Sequence, residues 1–247
     1  MPNDSAPSDL SLLRAEQLMR FCAGLGLDPS TSPNAAQTLA LVDEALTHTS
    51  TGRHINHERL EFLGDAVLRL ASSEYIERHH PQLPVGERSA LRAQLVSDRW
   101  LAALGDNIGI EAVQTLGAKA RGDDAGRATL RAEATEALIG ALYQGWESIE
   151  PVHSWLTPHW QQTSAAVLAD PHKGNAKSAL QEWSQARKLG LPTYCSEERS
   201  QRHGDPKRFR CQVELQGKTL AEGWGGSRRD AEQRAAQAAL QSLEGGS

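Results

Sequence analysis

Apolar positions recur at three- and four-residue spacing from about Leu10 to Gln161, the pattern of amphipathic helices. The stretches LSLLRAEQLMRFCAGLGL (10–27), AAQTLALVDEALTHTS (35–50), HERLEFLGDAVLRLASSEYIERHH (57–80), RSALRAQLVSDRWLAALGDNIG (88–109) and RATLRAEATEALIGALYQGWE (127–147) all carry it, with Gly, Pro, Asn or Asp in the gaps. An all-α domain is predicted. One gap, GAKARGDDAGR (117–127), has no apolar period and reads as an exposed loop.

Beyond ADPHKGN (169–175) the pattern changes. AKSALQEWSQARK (176–188) is helical, LPTYCSEERS (191–200) and RFRCQVELQ (208–216) are strand-like, and KTLAEGWG (218–225) is a short third strand. SRRDAEQRAAQAALQSL (227–243) closes as an alanine-rich helix opened by Ser227 as N-cap. The predicted order is α-β-β-β-α, with ADPHKGN as the linker before it.

Charge separates the same two parts. Residues 1–171 hold 13 Lys and Arg against 22 Asp and Glu, a net of −9, whereas residues 172–247 hold 13 against 9, a net of +4. An acidic part recruits cations, and a basic part suits polyanions such as nucleic acid. The 247 residues, 39% hydrophobic, suffice for one large domain or two modest ones with a real core. The opening MPNDSAPSDLS is polar and reads as a tail rather than a signal peptide, and no stretch is apolar enough to span a membrane. Cys22, Cys195 and Cys211 are too few and scattered for a disulfide framework, and they read as small apolar filler in a reducing cytoplasm.

The chemistry gathers in HERLEFLGDAVL (57–68). Glu58, Glu61 and Asp65 stand at i, i+3 and i+7 on one helical face, while Leu60, Leu63, Val67 and Leu68 lie round the helix toward a core. Like charges on one face weaken an isolated helix by roughly 0.2 to 0.5 kcal/mol per pair. Glu133 and Glu136 repeat the i, i+3 spacing on another helix. Spacing alone leaves three readings open: a solvated face, an acid–base pair for glycoside hydrolysis, or an oxygen cluster for Mg2+ or Mn2+ that activates water against a phosphodiester. The glycosidase reading lacks aromatic platforms near the motif and leaves the basic part unexplained. Gly64, inside this helix at a cost of about 1 kcal/mol relative to Ala, implies that something packs closely against that turn.

These residues carry a resemblance. ERLEFLGDAVL resembles the signature of the ribonuclease III family, ALTHTS (45–50) is similar to its ALTHxS stretch, and TEALIGALY is similar to its second acidic motif, all in the family's order. With the C-terminal module the resemblance covers nearly the whole chain after the first ten residues. It implies that Glu61, Asp65, Glu133 and Glu136 bind the metal, with Asp65 and Glu136 catalytic. It also implies that Glu58 lies at the dimer cleft toward RNA and that Phe62 inserts into a partner subunit. Glu133 departs from the family's usual Asp and adds a methylene that Mg2+ coordination must absorb. His57 stands where Asn is frequent, and His48 reads as a helix-end histidine making structural hydrogen bonds. Lys119, Arg121 and Arg127 read as solvated charges.

The C-terminal order, with ALQEW on its first helix and SRRDAEQRAAQAAL on its last, resembles a double-stranded RNA-binding domain. A-form RNA hides its base edges, so such a module reads 2′-hydroxyls and phosphates. Arg228 and Arg229 sit at a helix N-terminus, Gln181 offers an amide, and QRHGDPKRF presents His203, Lys207 and Arg208 on a turn.

The expectation is a mainly α chain: a tail at 1–10, a ribonuclease III catalytic and dimerisation domain at 11–168, a linker at 169–175 and a double-stranded RNA-binding domain at 176–245. Its function would be that of a cytoplasmic, homodimeric, Mg2+-dependent endoribonuclease, Mn2+ able to substitute. It would leave staggered 5′-phosphate and 3′-hydroxyl ends and process ribosomal and other RNA precursors. The alternative is a double-stranded RNA-binding regulator with reduced or lost cleavage.

Overall fold

A computed structural model of the chain describes residues 10–122, 124–169, 172–202 and 205–244. It divides into two compact units, one ending at Thr163 and the other beginning at Ser164. The first is helical: α1 (Leu12–Gly24), α2 (Ala35–Ala45), α3 (Glu58–His79), α4 (Val85–Leu95), α5 (Asp98–Asn107), α6 (Ala118–Arg121), α7 (Arg127–Trp146) and α8 (Glu150–Ala169), the last crossing the boundary.

Helix α7 is the axis of this unit. Ala132, Ala134, Ala137, Leu138, Ile139, Ala141 and Leu142 are buried on several sides of it, as a helix enclosed by neighbours requires. α2, α3 and α5 pack on it, each at a glycine. A Cβ on Gly64 of α3 would lie 1.9 Å from the Glu136 carbonyl oxygen, and one on Gly140 of α7 would lie 2.2 Å from the Leu60 carbonyl oxygen. Gly105 of α5 likewise abuts Thr135 and Arg131, and Gly145 abuts Thr38 of α2. Gly64 therefore serves the close approach that its position implied.

Three local readings change. The run 88–109 is two helices, because Ser97 Oγ accepts the Trp100 N–H (3.2 Å) and restarts the chain as α5. The stretch predicted as a loop at 117–127 contains the short, largely exposed α6. Residues 172–175, read as linker, form the first turn of α9 (His172–Ala186).

In the second unit β1 (Thr193–Glu198), β2 (Phe209–Leu215) and β3 (Lys218–Gly225) form an antiparallel sheet in that order. α9 and α10 (Arg228–Glu244) cover one face, closing on Ala176, Leu180, Cys211, Val213, Ala231, Ala235 and Leu240. The β2–β3 turn uses Gln216 and Gly217 at φ 52° and 72°, the left-handed pair that matches hairpin twist. Ser227 caps α10, its Oγ accepting the Asp230 N–H at 3.2 Å. Cys211 and Cys22 are buried, but Cys195 is exposed: it pairs with Gln212 while its neighbour Ser196 pairs with Cys211, so the pleat turns the two β-cysteines to opposite faces.

Gly64→Ala and Gly140→Ala should each cost about 3 kcal/mol or prevent folding, since backbone rather than a flexible side chain occupies the space. Gly86→Ala in α4, with open space around it, should instead stabilise by about 0.5 kcal/mol. Thermal and urea unfolding of the three variants measures both outcomes.

Candidate active site

Helix α3 starts from an anchored turn. The His57 N–H donates to the Thr47 carbonyl (2.9 Å), the His48 N–H donates to the Thr115 carbonyl (3.0 Å), and the Glu58 N–H donates to Asn56 Oδ1 (3.1 Å). From this start Glu58, Glu61, Phe62 and Asp65 of α3 meet Glu133 and Glu136 of α7 across the Gly64–Gly140 contact. All six line one open cleft of about 690 Å3, together with His48, His57, Arg69 and Asp98. A neighbouring cavity of about 620 Å3 shares Glu61, Asp98, Glu133 and Glu136 with it. Phe62 is 86% exposed, which excludes a role in its own subunit's core.

The field in the cleft is negative. Burial, then the charges of Asp65, Glu61 and Asp98, push Glu136 up to about 7, against which Arg69 acts weakly. Burial and the charge of Glu61 raise Glu133, while His57 and His48 pull it back. Burial and Glu58 raise Glu61. Arg69 is engaged with Asp65 at 2.8 Å. Carboxylates pushed toward protonation together, in a cleft open to solvent, mark a place that favours an added cation.

Three residues gain a place here that the sequence reading did not give them. Asp98 opens α5 directly after its Ser97 cap, and the Ser-Asp start signal inside an apolar run was the available sign. His57, buried at 5% exposure, has its Nδ1 in hydrogen-bond contact with Glu61 Oε2 at 3.0 Å. His48 does make the structural bonds expected of it, accepting the Ser50 N–H at Nδ1 (3.0 Å), yet its other nitrogen faces Glu133 Oε2 at 3.6 Å. In the nearby segment Arg127 pairs with Asp124 (3.1 Å) and Arg121 donates to the Leu116 carbonyl (3.0 Å), while Lys119 is exposed.

In the second unit Gln181 lies exposed on α9, and Arg228 and Arg229 lie exposed in the first turn of α10. Lys207 is exposed on a turn held by Asp205 Oδ1, which accepts its backbone N–H at 2.8 Å. His203 lies outside the described residues. Arg208 is bound to Glu198 (2.7 Å), Arg210 to Glu222 (2.5 Å), Arg234 to Asp230 (3.1 Å) and Lys177 to Glu232 (2.5 Å). No such ion pair engages Lys207, Arg228 or Arg229 among the described residues, nor Arg187, Lys188, Arg202 or Lys218, so the positive charge of all seven is open to a polyanion.

Residues 39–152 match the family described as Ribonuclease-III-like, and residues 176–243 match the Double-stranded RNA binding motif. "Ribonuclease 3" of Prochlorococcus marinus is 56% identical over 240 residues, 96% of either chain. The chain belongs to the ribonuclease III family. "Ribonuclease 3 2" of a Nostoc species is 40% identical over 92% of either chain, and "Ribonuclease 3" of Staphylococcus aureus 35% identical over 84% of this chain and 87% of its own. A ribonuclease III-like domain joined to a double-stranded RNA-binding motif makes this chain a double-stranded RNA endoribonuclease. No helix among the described residues is long and apolar enough to cross a membrane.

Metal-free stability should carry the mark of Glu136. Its folded pKa, about 7, lies above the ordinary 4.5, so the folded state binds the extra proton and this contribution is full below about 4.5. It is lost as pH rises through 7. The loss, discounted for solvent screening, is about 1 to 2 kcal/mol. Urea unfolding between pH 4.5 and 8 without divalent ions should show this decline, and Glu136→Gln should flatten it.

Proposed function

We propose that the chain hydrolyses double-stranded RNA as a Mg2+-dependent homodimer, with Mn2+ able to substitute. It would leave staggered ends bearing 5′-phosphate and 3′-hydroxyl, and act on ribosomal and other RNA precursors in the cytoplasm. The observation that carries the reading is the meeting of Glu61 and Asp65 with Glu133 and Glu136 in one cleft, where burial and then negative neighbours push Glu136 up to about 7. An all-oxygen donor set suits a hard divalent cation, and the under-compensated charge supplies the attraction. Bound among these four residues, Mg2+ would acidify water and offset the negative charge that builds on the phosphodiester.

The chain's own groups do the rest. Asp65 of α3 and Glu136 of α7, which line the same cleft, act as the catalytic pair. Glu58, exposed at the cleft mouth, contacts RNA. Phe62 holds a full aromatic face in solvent, and a second subunit is the natural cover for it. Delivery falls to the domain at 176–245, joined through 169–175 to the catalytic domain at 11–168. There Gln181 addresses 2′-hydroxyls, and His203, Lys207, Arg228 and Arg229 address the RNA backbone. The second reading, a regulator that binds duplex RNA without cutting it, draws on Glu133, whose longer arm already faces His48.

Incubated with long duplex RNA and Mg2+, the unmodified chain should cut it, and Glu136→Ala should cut at least about 100-fold more slowly while binding RNA normally. Binding without cleavage by the unmodified chain, restored by Glu133→Asp, would establish the regulator instead. Replacing Arg228 and Arg229 together by Ala should weaken RNA binding and reduce the slope of log K against log salt by about 1 to 2. An unchanged slope would remove both from the phosphate contact.

A further inference from the structure

His48, His57 and Glu133 bring one ligand atom each to within 4.8 Å of one another, so a metal site of their own is the first possibility to weigh. The ring geometry speaks against it. The two imidazoles are stacked, centroids 4.8 Å apart and planes 15° from parallel. Imidazole lone pairs lie in the ring plane, and two nearly parallel stacked rings do not direct theirs at a common ion.

Tautomers point the same way. His48 Nδ1 accepts the Ser50 N–H (3.0 Å), so its ring proton sits on Nε2, the atom 3.6 Å from Glu133 Oε2, and the Ser50 hydroxyl 2.8 Å from Nδ1 is left to donate. Ser50 Oγ in turn accepts the Gly117 N–H at 2.9 Å, which ties this ring to the segment before α6. His57 has its Nδ1 on Glu61 Oε2 at 3.0 Å, while its buried Nε2 has no hydrogen-bond partner among the described residues. A bare ring nitrogen is tolerable there only as a lone pair, which places the proton on Nδ1, toward the carboxylate.

We propose that His48 and His57 are positioning residues for the metal-binding carboxylates. They form a stacked bracket in which His57 Nδ1 holds Glu61 at 3.0 Å and His48 Nε2 faces Glu133 at 3.6 Å, a contact that the extra methylene of Glu133 brings within reach. The inference rests on the metal reading given above. Groups that orient a metal ligand from behind typically change metal affinity by about 10 to 100-fold when removed. The bracket orients the ligands without touching the reacting atoms.

Mn2+ titration of the RNA-free full-length chain, followed by electron paramagnetic resonance, tests this apart from cleavage. His48→Ala and His57→Ala should each weaken Mn2+ binding about 10-fold, whereas His48→Gln and His57→Asn, which keep an N–H near the same point, should stay within about threefold. In a Glu133→Asp background, where the shorter arm falls back from His48, His48→Ala should cost less than about threefold. Unchanged affinity in the alanine variants, or an equal loss in the Glu133→Asp background, overturns the bracket and leaves the metal reading intact. An unmodified chain that binds no Mn2+ overturns the metal reading and the bracket with it. Nitrogen-15 spectra of the unmodified chain supply a check independent of any variant's folding: the proton should sit on Nε2 of His48 and Nδ1 of His57, and the opposite tautomers overturn the proposal.

Discussion

The catalytic half depends on one contact between two main chains. Where α3 crosses α7, Gly64 and Gly140 leave no side chain between the helices, and each glycine has a carbonyl oxygen of the other helix where its Cβ would be. Asp65 follows Gly64 directly and Glu61 precedes it by three residues, while Glu136 and Glu133 precede Gly140 by four and seven. The separation of the two acidic sets is therefore set by backbone against backbone, the least compressible kind of packing. Two helical glycines cost about 2 kcal/mol in propensity, and the burial along α7 offsets it.

That rigidity holds together groups that repel. Glu61, Glu133 and Glu136 are each disfavoured as anions by burial and by a neighbouring carboxylate: Glu58 for Glu61, Glu61 for Glu133, and Asp65, Glu61 and Asp98 for Glu136. A chain selected for stability alone would put apolar or paired residues at such a crossing. The cost is local, and its size depends on what the carboxylates face. With a cation present their mutual repulsion becomes attraction to a common charge, and the same burial that penalises them alone strengthens that attraction.

Much of this was legible in the sequence because it rests on local rules. The helical period located the α domain, the acids at i, i+3 and i+7 shared a face as their spacing required, and Gly64 signalled a close approach before its partner was known. The resemblance to ribonuclease III supplied what spacing left open. Less legible features depended on tertiary context. Inside the apolar run 88–109 the Ser97 cap outweighed the continuing period, and the helix it restarts opens with Asp98 at the cleft. His57 looked incidental because its meaning lies in a ring stack with His48, nine residues away and joined by a backbone hydrogen bond through Thr47. Cys195 was read by composition as filler, but its face depends on strand register, which composition does not encode.

The second unit repeats close packing in another material. A Cβ on Gly223 of β3 would lie 2.2 Å from the Ala235 nitrogen of α10, and one on Gly225 would lie 2.5 Å from the Ala231 nitrogen. Strand and helix thus touch through alanines and bare backbone, with little deformable side chain between them. Compliance in a protein comes largely from side chains that can change rotamer, and this seam has few. The exposed first turn of α10 is accordingly mounted on a stiff base. A surface that distinguishes one helical form of a polymer from another by the spacing of its ridges has to keep its own dimensions, as a calliper does, and the small residues along this seam are what keep them.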